Sequence, residues 1–283
     1  MKTKSPFFIL TLVALLLTSC NGSSSKKRKS HSSEEEETSE HSGESEESLP
    51  LPPADYYESI NDSMSGTSLL NALHSIIDTS DVAVDYSWSR FEAADQDPNN
   101  QYNVILIYAR TSVPKTDAKT GGTSESQCWN REHTFPQSKM SNEKAKKDNH
   151  IIFASDYKVN LARSNIKMGI VDGGSVITDS YGRQTTCRVT RSLFDPCNRA
   201  RGIVARSTMY AAAMYNYDPL DNFQSIETLL KWHLEYPVDL LDFNRNETVH
   251  KNQHNRNPFV DHPDYACRIW GGTNAATQSL CSQ

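Results

Sequence analysis

Residues 128–138 read CWNREHTFPQS, and this stretch is the most informative part of the sequence. Residues 127–134 have the composition of a strand, which Pro136 stops because proline cannot donate to a sheet ladder. A carboxylate, Glu132, and an imidazole, His133, therefore stand side by side at a strand end. Adjacent side chains of a regular strand point to opposite faces, so both serve one site only where the strand bends or ends.

Glu132 and His133 suit two parts of one reaction. A carboxylate binds a hard divalent cation through oxygen, and a neutral imidazole accepts a proton from water near neutral pH. The pair alone is a weak signal, because a surface carboxylate beside a packed histidine has the same sequence. A second group of polar residues is needed before a site is indicated.

That second group lies in residues 148–165, which read DNHIIFASDYKVNLARSN. Residues 151–153 are typical of a short strand, and residues 155–163 are predicted to form a helix. Asn160 and Arg163 then share a helix face, where an amide oxygen and a guanidinium suit a metal ion beside a phosphate. Asparagine is unfavourable inside a helix, which favours a functional Asn160. For Arg163, phosphate binding and a structural salt bridge both remain open.

The rest of the chain predicts a mixed fold. Apolar spacing predicts a helix over residues 57–77, with a break at Gly66 as an alternative. A run of alanines without proline predicts another over residues 200–215, and helices are also expected over 86–94, 226–233 and 240–253. Residues 104–108 are continuously apolar, which is typical of a buried strand, and residues 175–189 indicate a hairpin that turns at 181–182. Helices and strands in this order predict the α+β class.

The N-terminus has the pattern of a secretory signal. Two lysines precede an apolar stretch over residues 7–17, which is too short to span a bilayer. Residues 17–20 read LTSC, which resembles the lipobox of bacterial lipoproteins. Residues 1–20 are therefore predicted to be a lipoprotein signal peptide, with Cys20 lipidated. An ordinary signal peptide with a chance cysteine is the alternative. In either case the protein is expected to be exported, at the cell surface as a lipoprotein or otherwise secreted.

Residues 21–53 are rich in serine and glutamate and have no apolar periodicity. Such a segment cannot bury enough apolar surface to offset its conformational entropy, which predicts a disordered tether. The folded domain is therefore predicted to cover residues 54–283.

The charge distribution points to a polyanionic substrate. The net charge of −6 excludes a uniformly basic polyanion binder. Residues 139–206, however, hold thirteen lysines and arginines against six acidic residues, a local charge of +7. A basic segment in an acidic protein predicts a basic face for nucleic acid, although an ordinary surface with segregated charges is the alternative. No base-reading helix is evident, so cleavage without sequence preference is expected.

Four ordered motifs resemble the bacterial endonuclease I family, secreted nucleases of the His-Me finger or ββα-metal superfamily. Residues 130–138 and 159–165 carry two of them, and residues 194–206, FDPCNRARGIVAR, and 255–263, NRNPFVDHP, carry the others. The resemblance extends over residues 102–270.

The resemblance implies a ββα-metal catalytic core surrounded by helices, and hydrolysis of phosphodiester bonds of DNA, with the choice between DNA and RNA left open. The protein is expected to be a monomer. His133 would be the general base, and Glu132 and Asn160 the ligands of one divalent cation. Mg²⁺ is favoured because two ligands leave room for its waters, with Mn²⁺ and Ca²⁺ as alternatives. Arg163 would contact phosphate, and His150 is expected to be structural.

The chain also departs from the family pattern. Some relatives have an arginine between the two strands that stabilises the leaving group, whereas residues 134–149 contain lysines and no arginine. That role stays unassigned.

Five cysteines follow Cys20, an odd number. A Cys187–Cys197 disulfide would close a short loop and a Cys267–Cys281 disulfide would hold the C-terminal tail, leaving Cys128. A zinc site is the competing interpretation, but no CxxC pair supports it.

Two other functions remain open at this stage. The first is a lipoprotein that binds nucleic acid without cutting it, which intact Glu132, His133 and Asn160 disfavour. The second is a zinc hydrolase that uses His133 and His150, which would contain stoichiometric zinc.

Overall fold

A computed structural model describes residues 52–118, 128–197 and 199–282. Its α-helices are α1 (Gly66–Ile77), α2 (Trp88–Ala94), α3 (Tyr157–Arg163), α4 (Ala200–Tyr215), α5 (Ile226–Glu235), α6 (Leu240–Gln253), α7 (Pro258–Asp261), α8 (Asp264–Trp270) and α9 (Ala275–Cys281). Its strands are β1 (Gln96–Asp97), β2 (Asn100–Ile105), β3 (Ser112–Pro114), β4 (Trp129–His133), β5 (Ile152–Asp156), β6 (Lys167–Met168), β7 (Ser175–Thr178), β8 (Gln184–Val189) and β9 (Leu193–Asp195). The mixture confirms the α+β class. The predicted signal peptide, the predicted lipidation site Cys20 and most of the predicted tether lie outside the described residues.

The strands of the described residues form three small sheets. One is the antiparallel β1-β2-β3 sheet, the second is the antiparallel β4-β5 pair, and the third has the order β6-β9-β8-β7. In the third sheet β6 runs parallel to β9, and the β7-β8 hairpin turns where the sequence predicted.

The core is organised around α4, whose bounds are those predicted. Fourteen of its residues are buried, most of them small or apolar, together with Arg206. The helix therefore lies in the protein interior, where α1, α5 and α7 pack against it. Within the described ranges, no helix combines the length and apolarity needed to cross a membrane.

The β4-β5 pair and α3 form one unit, because Asp156 joins them. Asp156 ends β5, and its Oδ1 accepts hydrogen bonds from the backbone N–H groups of Lys158 and Val159, which caps α3. Its Oδ2 accepts from the N–H of Ser180, which attaches the β7-β8 hairpin. The strand pairing places His133 opposite Ile152. The two strands and the helix are therefore held in one orientation.

The strand predicted over residues 104–108 is wrong in its second half. β2 ends at Ile105, although Tyr108 and its two predecessors are buried. The chain turns there, because the N–H of Arg110 donates to Leu106 and the N–H of Leu106 donates to Thr111. The apolar run thus reports burial and not an extended conformation. Likewise, the helix predicted from residue 57 begins only at Gly66, the alternative break.

The cysteines agree in part with the expectation. Cys267 and Cys281 form a disulfide that joins α8 to α9. Cys187 and Cys197 are buried free thiols, so their expected disulfide is absent. The Cys187 sulfur instead accepts the Cys197 N–H at 3.2 Å and donates to the Tyr108 carbonyl at 3.5 Å. Cys128 is buried beside β4 as expected, but it is engaged and not left over.

Candidate active site

An open pocket of about 360 Å³ lies over the β4-β5-α3 unit. Its wall includes Glu132, His133, Asn160 and Arg163, together with Arg131. The fold therefore brings together the four residues that the two sequence motifs predicted for one site.

Glu132 is a buried carboxylate held by two polar groups. It is 4% exposed, its Oε1 accepts the hydroxyl of Tyr108 at 2.5 Å, and Nε of Arg163 lies 3.4 Å from the same oxygen. Burial raises the pKa of Glu132, whereas the Arg163 charge and the Tyr108 hydrogen bond act in the opposite direction. Both contacts engage one oxygen.

His133 is held in a defined tautomer. Its Nε2 lies 3.0 Å from the backbone carbonyl oxygen of Lys146, and because a carbonyl can only accept, Nε2 carries the proton. Nδ1 then has a lone pair, and it has no hydrogen-bond partner in the described part of the chain. The ring also stacks on Tyr86 at 5.9 Å. Burial lowers the pKa of His133 to about 4, so the imidazole is neutral at pH 7.

Gln137 touches the same nitrogen of His133. Its amide nitrogen lies 3.0 Å from Nε2, but an amide N–H cannot donate to a nitrogen that already carries a proton. The opposite amide orientation, with the Gln137 oxygen sharing the Nε2 proton, satisfies both groups. Gln137 then supports the same tautomer as the carbonyl of Lys146.

Asn160 is oriented by its amide nitrogen. Nδ2 donates to Oδ1 of Asn130 at 2.9 Å and to the backbone oxygen of Arg131 at 3.5 Å. Because the carbonyl of Arg131 can only accept, the amide nitrogen of Asn160 and not its oxygen faces that carbonyl. Oδ1 of Asn160 is left without a hydrogen-bond partner among the described residues. An unengaged amide oxygen beside the carboxylate of Glu132 is a donor set that suits a hard divalent cation.

Arg163 has a structural role, one of the two roles that the sequence left open. Its side chain is 2% exposed, and its guanidinium donates to the Thr134 carbonyl at 2.7 Å and to Oδ1 of Asn222 at 3.0 Å. With the contact to Glu132, these bonds engage most of the guanidinium inside the protein. The geometry therefore favours a salt bridge over a phosphate contact.

The comparison with known proteins agrees with this geometry. The family model described as Endonuclease I matches residues 65–264. The chain belongs to the endonuclease I family. It is 35% identical over 227 residues to the extracellular ribonuclease of Bacillus amyloliquefaciens, covering 73% of this chain and 75% of the relative. It is 33% identical over 238 residues to that of Bacillus subtilis (strain 168), covering 76% and 78%. The family match begins earlier than residue 102, so α1 and α2 belong to the endonuclease I domain.

The endonuclease I domain has a smaller basic face than its sequence predicted. Three arginines of residues 139–206 are buried or half-buried and form an ion pair with a buried carboxylate. These pairs are Arg163–Glu132, Arg201–Asp195 and Arg206–Asp242. The local charge of +7 therefore overstates the cations that are available to a substrate.

His150 does not contribute to the pocket. It is buried, its Nε2 lies 3.1 Å from the carbonyl oxygen of Asn255, and its ring packs on Tyr210. Nor do the described residues contain a group of three His, Cys, Asp or Glu side chains that could hold a metal. Both observations disfavour the zinc hydrolase interpretation.

Four residues that shape the candidate site were not found from the sequence. They are Tyr86, Tyr108, Asn130 and Lys146. Asn130 had a local signal, because it lies two residues before Glu132 in the quoted motif. The others come from distant segments, and Lys146 acts through its backbone, which no side-chain pattern reveals.

Proposed function

We propose that this protein is an exported, metal-dependent endonuclease that hydrolyses phosphodiester bonds of nucleic acid without sequence preference. The observation that carries the proposal is the neutral His133, with its Nδ1 lone pair open, beside the oxygen donors of Glu132 and Asn160. The β4-β5-α3 unit would then be the ββα-metal core of the family.

Each side chain has a separate task in this proposal. Glu132 and Asn160 would hold one Mg²⁺, with Mn²⁺ and Ca²⁺ as alternatives, and when bound the cation neutralises the charge that develops on the phosphate and the leaving oxygen. His133 accepts the proton of the attacking water at Nδ1, while its Nε2–H stays on the carbonyl of Lys146. Arg163 keeps Glu132 in position, and its charge opposes the rise in the pKa of Glu132 that burial causes.

The site chemistry supports both DNA and RNA as substrates. Cleavage through the ribose 2′-hydroxyl uses a base for that hydroxyl and an acid for the leaving group. Among the described residues, His133 is the one histidine that lines the pocket, which favours attack by water over attack by the 2′-hydroxyl. Attack by water needs no 2′-hydroxyl. The relatives named extracellular ribonuclease are consistent with RNA as one substrate. Products with 5′-phosphates are expected.

Export is part of the proposal. The signal pattern of residues 1–20 and the names of the extracellular relatives both support it. Lipidation of Cys20 would anchor the protein to the outer face of a membrane through the tether, with the domain acting as a monomer.

One experiment tests the activity. The mature protein is incubated with plasmid DNA and with RNA, in Mg²⁺ and in EDTA, and the ends of the RNA fragments are determined. We expect cleavage of both polymers that EDTA abolishes, with 5′-phosphate ends. Cleavage that persists in EDTA, or RNA ends with 2′,3′-cyclic phosphates, would contradict the mechanism. Binding without cleavage in Mg²⁺ would instead support the non-catalytic alternative.

A further inference from the structure

Arg131 is a cation without a counter-ion. Among the described residues, every other arginine that is buried or half-buried forms an ion pair with a carboxylate. The remaining unpaired arginines of these residues are exposed, where water solvates the charge. Arg131 is half-buried and has no carboxylate within ion-pair distance in the described ranges. Removing a guanidinium from water without a partner is costly, so this exception calls for a ligand.

Two aromatic rings and one hydrogen bond hold the guanidinium of Arg131. Its central carbon lies 3.6 Å from the ring centre of Tyr86 and 4.4 Å from that of Trp88. Nη1 donates to the backbone oxygen of Tyr86 at 2.8 Å. These contacts use the faces of the group and one of its nitrogens, whereas Nε and Nη2 have no hydrogen-bond partner among the described residues. A guanidinium has five N–H donors, so an edge with several donors is free.

Arg131 also lines the pocket that contains Glu132 and His133. Arg163, the other arginine of this pocket, is engaged with Glu132 and with internal carbonyl groups. A nucleic acid presents one phosphate for each nucleotide.

We propose that Arg131 is a phosphate-binding residue of this site. Its free edge donates to nonbridging oxygens of the backbone phosphate that enters the pocket, and Tyr86 and Trp88 fix its orientation before the substrate arrives. A planar guanidinium matches two phosphate oxygens at once, which a lysine ammonium cannot do. The inference rests on the proposed nuclease function and adds to it the residue that recognises the substrate backbone.

The test measures the affinity for a short, fluorescein-labelled, single-stranded oligodeoxynucleotide in EDTA over a series of KCl concentrations. Arg131→Gln is expected to weaken binding by about tenfold, the loss of one charged hydrogen-bonding group. It should also lower the slope of log affinity against log salt by about 0.7, the value for one phosphate contact on a single strand. Arg131→Lys keeps the charge, so it should restore the slope but only part of the affinity.

The matched control is Arg188→Gln. Arg188 is exposed on β8, its side chain bonds the backbone oxygen of Gly173, and it does not line the pocket. This variant makes the same change in net charge, so any loss of affinity or of salt slope that it shows measures the effect of net charge alone. The salt dependence of kcat/KM for cleavage in Mg²⁺ gives a second reading of the slope for all variants.

The outcomes separate the two proposals. If Arg131→Gln has the slope and affinity of Arg188→Gln, or if it lowers the melting temperature and leaves the slope unchanged, Arg131 is structural and the inference is overturned. The wild type would still cleave in that case, and the proposed function would stand. If the wild type neither binds nor cleaves nucleic acid, the proposed function itself fails.

Discussion

The substitution His133→Ala is predicted to remove most of the cleavage while the protein stays folded. General-base catalysis contributes roughly 10²–10⁴ in rate, which corresponds to about 3–5 kcal/mol of activation free energy. The fold also loses the stack on Tyr86 and the hydrogen bond to Lys146. Each contributes about 1 kcal/mol, and a total loss of about 2 kcal/mol lowers the melting temperature of a domain of this size by about 4–8 °C.

The pH profile tests the same residue without a mutation. Burial lowers the pKa of His133 to about 4, and a cation bound at Glu132 would lower it further. The base accepts a proton only when it is neutral, so its contribution is complete above this pKa and is lost as the pH falls through it. The wild-type rate is therefore expected to show no histidine titration between about pH 6 and 8.

The assay measures initial rates of plasmid nicking at saturating Mg²⁺, together with melting temperature and DNA affinity in EDTA. His233→Ala is the control, because His233 is also buried and its Nε2 lies 2.9 Å from the carbonyl oxygen of Pro263, outside the pocket. The control should lose stability and keep its rate. If His133→Ala nicks plasmid as fast as the wild type, or if both variants lose rate in proportion to stability, His133 is not the general base.

Three further predictions concern the cation, the disulfide and acid stability. Asn160→Ala should raise the Mg²⁺ concentration for half-maximal cleavage by at least about tenfold. Equal Mg²⁺ dependence of Asn160→Ala and wild type would reject the ligand assignment. The double variant Cys267→Ser/Cys281→Ser should lose about 3 kcal/mol of unfolding free energy in urea titrations, as expected for a cross-link between residues 14 positions apart. Its activity at 25 °C should equal that of the wild type. An unchanged urea midpoint would show that the disulfide does not stabilise the domain. Burial lowers the pKa of His233 to about 4, below the value of about 6.5 in the unfolded chain. Between these values the unfolded chain binds more protons, so the stability is highest above about pH 6.5 and falls by up to about 3 kcal/mol toward pH 4. His233→Gln should flatten the curve of unfolding free energy against pH over that interval, and parallel curves for variant and wild type would contradict the assignment.

The two longest helices, α4 and α6, could be predicted from the sequence. The bounds of α4 and α6 agree with the predicted ranges. Residues 104–108 show the limit of this reasoning, because an apolar run records burial and does not distinguish a strand from a buried turn. The short elements β1, β6 and β9 were missed, since two or three residues carry no period and their pairing depends on distant segments.

The candidate site was predictable to the extent that its chemistry is local. Glu132 and His133 are adjacent in sequence, and Asn160 lies on the helix that follows the next strand, so two short motifs contain all three. The groups that orient them are distant: Tyr86 comes from the segment before α2, and the carbonyl of Lys146 belongs to the loop between β4 and β5. Nothing in a local pattern specifies these contacts, because they arise only when the segments pack.

Asn160 and Arg163 show why a shared helix face does not imply a shared role. Both line the pocket from one turn of α3, but the short amide of Asn160 stays at the rim while the long guanidinium reaches inward to Glu132. A phosphate contact would require Arg163 to leave the Thr134 carbonyl and Oδ1 of Asn222. The Thr134 carbonyl would keep the side-chain N–H of Asn222, but the buried Oδ1 of Asn222 would lose its donor, which costs about 1–3 kcal/mol. Arg163 therefore acts on the substrate only through Glu132, whose negative charge it supports against the cost of burial. Direct phosphate binding requires a guanidinium that has no carboxylate partner among the described residues, and in this pocket that guanidinium belongs to Arg131.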